Sequence, residues 1–418
     1  MFQTLIDPAF LAAENGGTPV LDLNFAALKS LDSRITFVRG SVGTFINSAG
    51  LVETASAGVA RFTHDPVTLE SRGLLVEESR TNLALWSEDF SNAAWAKTES
   101  SITSNASAAP DGNLTADKLI ELSATNVHNT NQTFAATSGT TYTFSVFLKK
   151  GERGFALMAL IGAFTTTSIQ INLTTGAVST GTGTPLNATS QSLLNGWFRV
   201  AFSLAATSTA TATALIYTST DGVWANRTYT GDGTSGLYVW GAQLEAGAFA
   251  TSYIQTTTAS VTRAADVATM TGTNFSSWYN QNEGTFVAEC IPARAAATGE
   301  AVIAVNDAGT SNRFTFNAAR SGASNLSASL SADPAGSIAS PFTYVKGETI
   351  KMAASYSTGL ISLAINGADC GTLAATIASG LDRLILGNDN GVRPLNGNIA
   401  RIRYFNRALA SSVQALTT

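Results

Sequence analysis

The chain has 418 residues, enough for two or three domains, and 44% of them are hydrophobic. Only 13% are charged, the formal net charge is −5, and the one basic pair is Lys149-Lys150. Nucleic acid binding requires a dense cationic surface, so this composition excludes it. The many Thr, Ser, Ala and Gly residues, with few Lys and Glu, favour β-strands with neutral, hydroxyl-rich faces.

The first ten residues, the longest apolar stretch and the two cysteines bear on the localisation and redox chemistry that the sequence predicts. Met1 to Phe10 lacks a basic start followed by an apolar run, so no secretory signal is predicted. The longest apolar stretch, Gly154 to Phe164, is too short to cross a bilayer, so we expect no membrane insertion. Cys290 and Cys370 are predicted to be buried free thiols, with a disulfide between them as the alternative.

Residues 1–79 are predicted to form a small, irregular N-terminal segment with short strands. Val20 to Phe25 alternates apolar and polar residues, and Ile35 to Val38 and Thr44 to Ile46 are short β-like runs. The segment has too few long apolar runs for a large core of its own. We therefore interpret it as an attachment or packing segment.

Residues 80–257 have the pattern of a β-sandwich. Tyr142 to Leu148 places aromatic residues at alternate positions, which predicts a strand with one buried face. Ser168 to Leu173 and Ala177 to Ser179 are predicted to form a hairpin, in which Gly176 provides a positive φ. Many short strands separated by turn residues are typical of a sandwich or jelly roll.

Residues 264–418 form a third unit of the same kind, after a polar linker at Thr256 to Val261. Asn366-Gly367 follows an apolar run and predicts a tight hairpin. Leu409 to Leu416 is predicted to form a short closing helical turn. The predicted fold class is all-β, with two jelly-roll β-sandwiches in series preceded by the N-terminal segment.

Motifs that would indicate catalysis are absent from the sequence. His64 and His128 have no metal-type spacing, and no Gly-x-Ser-x-Gly turn or phosphate-binding loop occurs. Glycoside hydrolysis needs two facing carboxylates, and the acidic candidates are scattered along the chain: Asp221, Asp232, Glu245 and Glu289. We therefore predict that the chain is not an enzyme, with a polysaccharide depolymerase as the least favoured alternative.

One loop has the residue types that bind sugars. Sugars present apolar CH faces to aromatic rings and hydroxyl groups to polar side chains. Trp224, Arg227, Tyr229 and Asp232 lie close together in a stretch with the pattern of a loop, so they are the predicted carbohydrate-binding residues. The alternative is that Trp224 only covers the edge of the sandwich. Four other tryptophans are predicted to be packing residues in the core or at its edge: Trp95, Trp197, Trp240 and Trp278.

Residues 80–257 also resemble the carbohydrate-binding-like jelly rolls of phage head-spike and tail-fibre proteins. Three pairs of runs account for the resemblance, and they occur in order: Ser79–Leu83 with Ser87–Trp95, Ala109–Gly112 with Thr115–Leu119, and Val239–Gly247 with Thr251–Ile254. Asp22 to Phe25 and His64 to Pro66 look like the leader that precedes such a module.

The last unit resembles a laminin-G or concanavalin-like jelly roll through Leu395 to Leu409. Domains of this kind often hold calcium near a loop rim. The resemblance thereby implies a calcium site at Asn388, Asp389 and Asn390, and a simple turn is the alternative interpretation. No other cofactor is expected.

Taken together, these resemblances imply a surface spike or fibre protein of a tailed phage or phage-like particle, gene-transfer agents included. It would bind host-surface polysaccharide, and its N-terminal segment would contact other virion proteins. We expect synthesis in the host cytoplasm without a signal peptide, a location on the capsid or tail, and a homo-oligomer, by analogy a trimer. The main alternative is a purely structural spike or decoration protein.

Overall fold

The computed structural model describes residues 17–292, 300–309, 311–320, 327–340 and 347–418. Strands dominate, and the α-helices of this part of the chain are two four-residue segments, α1 (Phe25–Leu28) and α2 (Thr273–Ser276). Within the same residues, no helix is both long and apolar enough to span a bilayer. The predicted all-β class with jelly-roll sandwiches is confirmed.

The N-terminal segment supplies six short strands, and β7 (Arg80–Asn82) follows at the start of the jelly roll. The six are β1 (Leu21–Leu23), β2 (Thr36–Val38), β3 (Gly43–Ile46), β4 (Val52–Ala55), β5 (Arg61–His64) and β6 (Ser71–Val76).

The fourteen strands that follow form a sandwich of two six-stranded antiparallel sheets and one separate two-stranded sheet. They are β8 (Ala96–Thr98), β9 (Ser100–Ser107), β10 (Ala116–Glu121), β11 (Thr125–Val127), β12 (Asn129–Ala136), β13 (Thr141–Lys150), β14 (Phe155–Ile161), β15 (Thr167–Asn172), β16 (Val178–Thr182), β17 (Thr189–Ser192), β18 (Trp197–Ala205), β19 (Ala210–Ser219), β20 (Thr228–Thr230) and β21 (Gly236–Ala246). The first jelly-roll sheet has the order β17-β18-β13-β21-β10-β9, and the second has the order β16-β15-β14-β19-β12-β8.

The remaining strands belong to the C-terminal sandwich. They are β22 (Val261–Arg263), β23 (Val267–Thr271), β24 (Gly284–Pro292), β25 (Glu300–Asn306), β26 (Arg313–Arg320), β27 (Ser327–Asp333), β28 (Gly336–Ala339), β29 (Ile350–Ser357), β30 (Leu360–Ile365), β31 (Ala368–Leu373), β32 (Arg383–Leu386) and β33 (Gly397–Phe405). Short 3-10 turns at Ala410–Ser412 and Ala415–Thr417 close the chain where a helical turn was predicted.

The N-terminal segment is built into the C-terminal sandwich. One sheet has the order β31-β30-β29-β24-β33-β6-β5, with β1 also paired to β33, and the other has the order β2-β23-β32-β25-β26-β27-β28. The jelly roll is therefore inserted between two parts of one sandwich. Its entry strand β7 and its exit strand β22 pair with each other, with Asn82 opposite Val261.

The two cores are separate, and the jelly roll also buries part of an outer face. Phe144, Val146 and Leu148 of β13 point into the space between the jelly-roll sheets. Phe147 points outward and packs with Trp197, Trp240 and Val52 in a cluster that the N-terminal hairpin β3–β4 completes. This explains why the alternation of aromatic residues in β13 breaks down at its end.

Individual packing predictions can be compared with the structure. Trp95, Trp197 and Trp240 are each 1% exposed and Trp278 is 6% exposed, as predicted for packing residues. Asn366 and Gly367 have φ of 47° and 76° between β30 and β31, which confirms the predicted hairpin turn. Both cysteines are free thiols, but Cys370 is only half-buried because it lies on β31, at the edge of its sheet.

Five charged side chains are buried where the insertion joins the sandwich, and we call them the junction cluster: Arg39, Arg61, Glu77, Arg263 and Asp266. Their side chains are between 0% and 6% exposed. The Asp266 carboxylate lies 3.1 Å from Arg39 Nη1 and 2.5 Å from Arg61 Nη2. Glu77 Oε2 lies 2.8 Å from Arg61 Nη1 and 3.5 Å from Arg263 Nη2.

Hydrogen bonds connect this cluster to the end of the jelly roll. Ser252 donates to Glu77 from its backbone N (2.7 Å) and from its Oγ (2.6 Å). The Glu77 backbone N donates to Asp266 Oδ2 (2.9 Å), and the Asp266 N donates to the Glu77 carbonyl (3.0 Å). The cluster therefore links the N-terminal segment, the jelly roll and the linker that follows it.

We expect Asp266→Asn to lower the free energy of unfolding by about 3–5 kcal/mol, because it leaves buried guanidinium groups without their counter-charge. Urea unfolding followed by tryptophan fluorescence measures the change. Asp382→Asn is the matched control, since Asp382 pairs with Arg383 but is 57% exposed, and it should cost less than about 1 kcal/mol. Equal effects of the two substitutions would contradict the prediction.

The stability of the protein should also depend on acid pH through Glu77. Burial alone would raise the pKa of Glu77, but Arg263, Arg61 and hydrogen bonds from Ser252 outweigh burial and lower the pKa from 4.5 to about 2. A lowered folded-state pKa gives stability that is present above the unfolded pKa and is lost as pH falls towards the folded value.

We expect the Glu77 carboxylate to account for about 3 kcal/mol of the unfolding free energy that is lost on acidification. Urea unfolding at a series of pH values measures it. Glu77→Gln should be less stable at neutral pH and should lose less stability on acidification. Parallel curves for the two proteins would show that Glu77 is not responsible.

Candidate binding site

The loop of residues 221–227, here called the Trp224 loop, joins β19 to β20 at one end of the jelly roll. The Asp221 carboxylate accepts hydrogen bonds from the backbone N of Val223 (2.8 Å) and from Asn226 Nδ2 (2.6 Å). Gly222 has φ of 74°, and a Cβ there would lie 2.6 Å from the ring of Phe155. Glycine is required at this turn, and the loop is ordered by its own side chains.

Trp224 begins a 3-10 turn and is partly exposed. Its ring meets Tyr217 edge to face, with centroids 5.6 Å apart and planes at 85°. Trp224 packs on an apolar strip of the second jelly-roll sheet that includes Leu157 and Leu215. Both interpretations of the sequence therefore apply to this residue, since it covers the sandwich and also presents aromatic surface to solvent.

Arg227 completes the exposed part of the loop. Its guanidinium carbon lies 4.5 Å from the centroid of the Trp224 ring, and its Nη1 donates to the Trp224 carbonyl (3.1 Å). This places the guanidinium, with its hydrogen-bond donors, over the face of the Trp224 ring. An aromatic ring next to guanidinium donors matches a ligand that has both CH faces and hydroxyl groups.

Tyr229 does not join Trp224 and Arg227. Its hydroxyl donates to Glu121 Oε2 (2.6 Å) and lies 2.8 Å from Thr218 Oγ1, while its ring packs against His128 at 4.7 Å. Burial and the hydrogen bond to Glu121 raise the pKa of Tyr229 well above its ordinary value. The Tyr229 hydroxyl is therefore used in hydrogen bonds within the protein, at the end of the jelly roll.

Asp232 is exposed but is used by its own turn. Its carboxylate accepts hydrogen bonds from Ser235 Oγ (2.6 Å) and the backbone N of Ser235 (2.7 Å), which lower its pKa. Arg153 pairs with Glu121 and lies 3.5 Å from Asp232. The structure thus separates the four predicted residues into a partly exposed pair in contact with each other, Trp224 and Arg227, and a pair that supports the loops, Tyr229 and Asp232.

The sequence analysis did not identify three residues that support the site: Glu121, Arg153 and Tyr217. Glu121 precedes Tyr229 by 108 residues, and no local pattern indicates that they meet. Tyr217 lies two residues after Leu215 on β19, so the two side chains are on the same face of the strand. This spacing was the signal in the sequence that Tyr217 belongs to the apolar strip.

The residues of the calcium prediction have other partners. The buried Asp389 carboxylate lies 2.5 Å from Arg313 Nη1 and 2.8 Å from Arg393 Nη2. Asn388 Oδ1 accepts a hydrogen bond from the backbone N of Gly391 (2.9 Å), and Asn390 Nδ2 donates to the Gly309 carbonyl (2.8 Å). Two guanidinium groups neutralise the one carboxylate, so this geometry favours the turn interpretation. In the described part of the chain, no group of three or more His, Cys, Asp or Glu side chains is placed to hold a metal ion.

The scattered acidic residues also have separate partners. Glu245 is buried, and its carboxylate accepts hydrogen bonds from Gln243 and Thr251, each at 2.8 Å. Glu289 lies 3.8 Å from Arg403 in the C-terminal sandwich. Asp221 and Asp232 hold turns, so each of the four carboxylates has a local structural role.

Comparison with known proteins is informative mainly for the C-terminal sandwich. Residues 264–412 match the Laminin_G_3 family model, described as the concanavalin A-like lectin/glucanases superfamily. No curated protein sequence matches the chain.

Among solved structures, the chain is similar to a carbohydrate-binding module, CBM40, of Ruminococcus gnavus IT-sialidase bound to α2,3-sialyllactose. The identity is 17%, 35% of this chain and 88% of that chain are covered, and the TM-score is 0.29. It is also similar to domain 4 of AbnA, an extracellular arabinanase from Geobacillus stearothermophilus, in complex with arabinotriose, with 14% identity, 41% and 82% coverage and a TM-score of 0.30. A heptameric pentraxin from Limulus polyphemus has 15% identity, 33% and 70% coverage and a TM-score of 0.27.

Tyr229→Phe should lower the free energy of unfolding by about 2 kcal/mol, because it removes a hydrogen bond to the buried, ionised Glu121. Thermal unfolding measures the change. Tyr238→Phe is the matched control, since no hydrogen bond of its hydroxyl is found among the described residues, and it should be nearly neutral. A neutral result for both variants would remove Tyr229 from the supporting network.

Proposed function

We propose that this protein binds glycans through the Trp224 loop of its inserted jelly roll. The observation that supports the proposal is the exposed pairing of Trp224 with Arg227 on a loop that Asp221 and Gly222 hold in place. A preordered loop loses little conformational entropy on binding, which favours affinity for a flexible, hydrated ligand such as a polysaccharide.

The ligand chemistry follows from the two side chains. The CH face of a sugar ring would pack on the exposed part of the Trp224 ring, and the Arg227 guanidinium would donate to ring or hydroxyl oxygens. The exposed Asn226 extends the same polar rim. The match of residues 264–412 to a superfamily of lectins and glucanases adds support for a carbohydrate-related role.

We further propose that the chain is a surface spike or fibre protein of a tailed-phage-like particle, that it is not an enzyme, and that the polysaccharide lies on the host surface. The support is the ordered set of sequence runs from Ser79 to Ile254 that resembles head-spike and tail-fibre jelly rolls. Antibody labelling of purified particles tests the location. Labelling confined to the host cytoplasm, with none on particles, would exclude it.

A glycan array probed with the full chain tests sugar binding, with host capsular polysaccharides included. We expect Trp224→Ala to weaken binding at least tenfold and Arg227→Ala to weaken it several-fold, because they remove the stacking surface and the donors. Val223→Ala is the matched control, since Val223 is a neighbouring residue that is 41% exposed, and it should bind as the parent does.

Each outcome of this experiment has a defined meaning. A folded parent chain that binds no glycan would favour the purely structural alternative. Full binding by both loop variants would place the site elsewhere. New reducing ends or unsaturated sugars after incubation with polysaccharide would show a depolymerase and overturn the non-enzymatic proposal.

A further inference from the structure

Two adjoining cavities lie beside the outer face of the first jelly-roll sheet, away from the Trp224 loop. Their volumes are about 160 and about 450 Å³, and the larger lies within the usual range for small-ligand pockets. They share five lining residues, and we call the combined space the junction cleft: Arg72, Gln191, Arg199, Ala250 and Asn398.

The cleft is formed by all three parts of the chain. Gln191 and Arg199 come from β17 and β18 of the jelly roll, Arg72 comes from β6, and Asn398 comes from β33 of the sandwich. Next to it, the outer face of the same sheet is covered by the hydrophobic cluster around Phe147 and Val52. The cleft therefore lies at the border of this covered region, and Thr44 to Ile46 of the N-terminal hairpin line its smaller cavity.

Several polar groups that line the cleft lack hydrogen-bond partners. Within the described residues, four buried side-chain atoms of its lining are without a partner: His64 Nε2, Ser190 Oγ, Arg199 Nε and Asn398 Nδ2. His64 and Asn398 are only 5% and 6% exposed. Buried polar groups are nearly always hydrogen-bonded, so four together indicate that a partner belongs in the cleft.

The type of partner follows from the donors. Arg199 Nε and Asn398 Nδ2 can only donate, so the missing partner must offer acceptor atoms. Ser190 Oγ can donate or accept, and His64 Nε2 accepts when the ring is neutral, because Nδ1 faces the Ile46 carbonyl (3.3 Å). A ligand that carries both acceptor oxygens and hydroxyl donors satisfies all four.

The charges near the cleft favour an anion. Among the described residues, Arg199 has no carboxylate within ion-pair distance, and its guanidinium donates to the Thr251 carbonyl (2.7 Å) and lies 5.2 Å from the Phe147 ring. Glu77, which lines the smaller cavity, is already paired with Arg61 and Arg263. The adjacent junction cluster holds three arginines against two carboxylates, and the buried Glu245 is close enough to act on Arg199. With Arg199 counted, four cations face three carboxylates, so a small positive surplus lies beside the cleft.

We propose that the junction cleft is a second carbohydrate-binding site, specific for an acidic sugar whose carboxylate accepts hydrogen bonds from Arg199 and Asn398. Arg72, which is 30% exposed and paired with Asp65, places a further cation at the rim. Gln191 and Ser190 line the same space and are available to the sugar hydroxyls. The site shares no residue with the Trp224 loop and does not depend on the function proposed for that loop.

Calorimetric titration of the full chain with galacturonate and mannuronate oligomers tests the proposal. The matched ligand is the fully methyl-esterified oligomer of the same length, which keeps the hydroxyls and removes the charge. We expect at least one acidic oligomer to bind about tenfold more tightly than its ester. The preference for the acid over the ester should persist in Trp224→Ala, which removes the stacking surface of the other proposed site. Absence of binding, or equal affinity for acid and ester, would overturn the proposal.

Substitutions at Gln191 locate the site without disturbing the core, because this side chain is exposed. Gln191→Glu should weaken binding of the acidic oligomer several-fold and Gln191→Lys should strengthen it, with the melting temperature unchanged in both. Equal affinity in both variants would show that the oligomer binds elsewhere.

Two further measurements distinguish an acidic-sugar site from a general anion site. Arg199→Gln should abolish the preference for the acid over the ester, and its folding is checked by circular dichroism because Arg199 also contacts Phe147. Inorganic phosphate should compete poorly. If phosphate displaced the oligomer at equal concentration, the cleft would be a general anion site and the sugar assignment would be wrong.

Discussion

The burial of five charges at one junction is the constraint on which the rest of the architecture depends. Removing charged groups from water costs several kcal/mol for each ion, and only close partners offset that cost. Here the partners come from distant parts of the sequence, since Arg39 and Asp266 are separated by 227 residues. The cluster can form only when the N-terminal segment, the end of the jelly roll and the linker are all in place.

This constraint explains how an inserted domain is compatible with one continuous sandwich. The jelly roll has its own hydrophobic core between its two sheets, as a separate domain does. The sandwich has no such independence, because β1 and β6 pair with β33 near the other end of the chain. Pairing of β7 with β22 brings the two ends of the insertion together, and the junction cluster lies beside that pair. Electrostatic pairing and strand pairing therefore specify the same arrangement.

Local features of the fold were accessible from the sequence, and the long-range features were not. The period of two in β13 and the Asn366-Gly367 turn depend on neighbouring residues, so composition and spacing were sufficient to predict them. The integration of the N-terminal segment into the C-terminal sandwich depends on pairings between residues almost 400 positions apart, such as Leu21 with Tyr404. Short strands with few apolar residues give no local sign of where they pair.

The same distinction applies to the candidate sites. The Trp224 loop is one continuous stretch, so its residue types could be recognised in the sequence. That Tyr229 and Asp232 do not join Trp224 could not be predicted, because their partners Glu121 and Arg153 are distant in the sequence. The calcium prediction rested on oxygen ligands close in sequence, and it could not take account of Arg313, which reaches Asp389 from 76 residues away. The junction cleft had no signal at all, because its lining combines three separate regions.

The two jelly-roll sheets differ in what their outer faces contact, and this difference assigns them different tasks. The outer face of the first sheet packs against the N-terminal hairpin through Phe147 and Val52, and the junction cleft lies beside that contact. The outer face of the second sheet has its apolar strip covered chiefly by its own loop through Trp224. The two proposed glycan sites would therefore lie on opposite sides of one sandwich, and the junction cluster lies beside the strand pair that joins the jelly roll to the C-terminal domain.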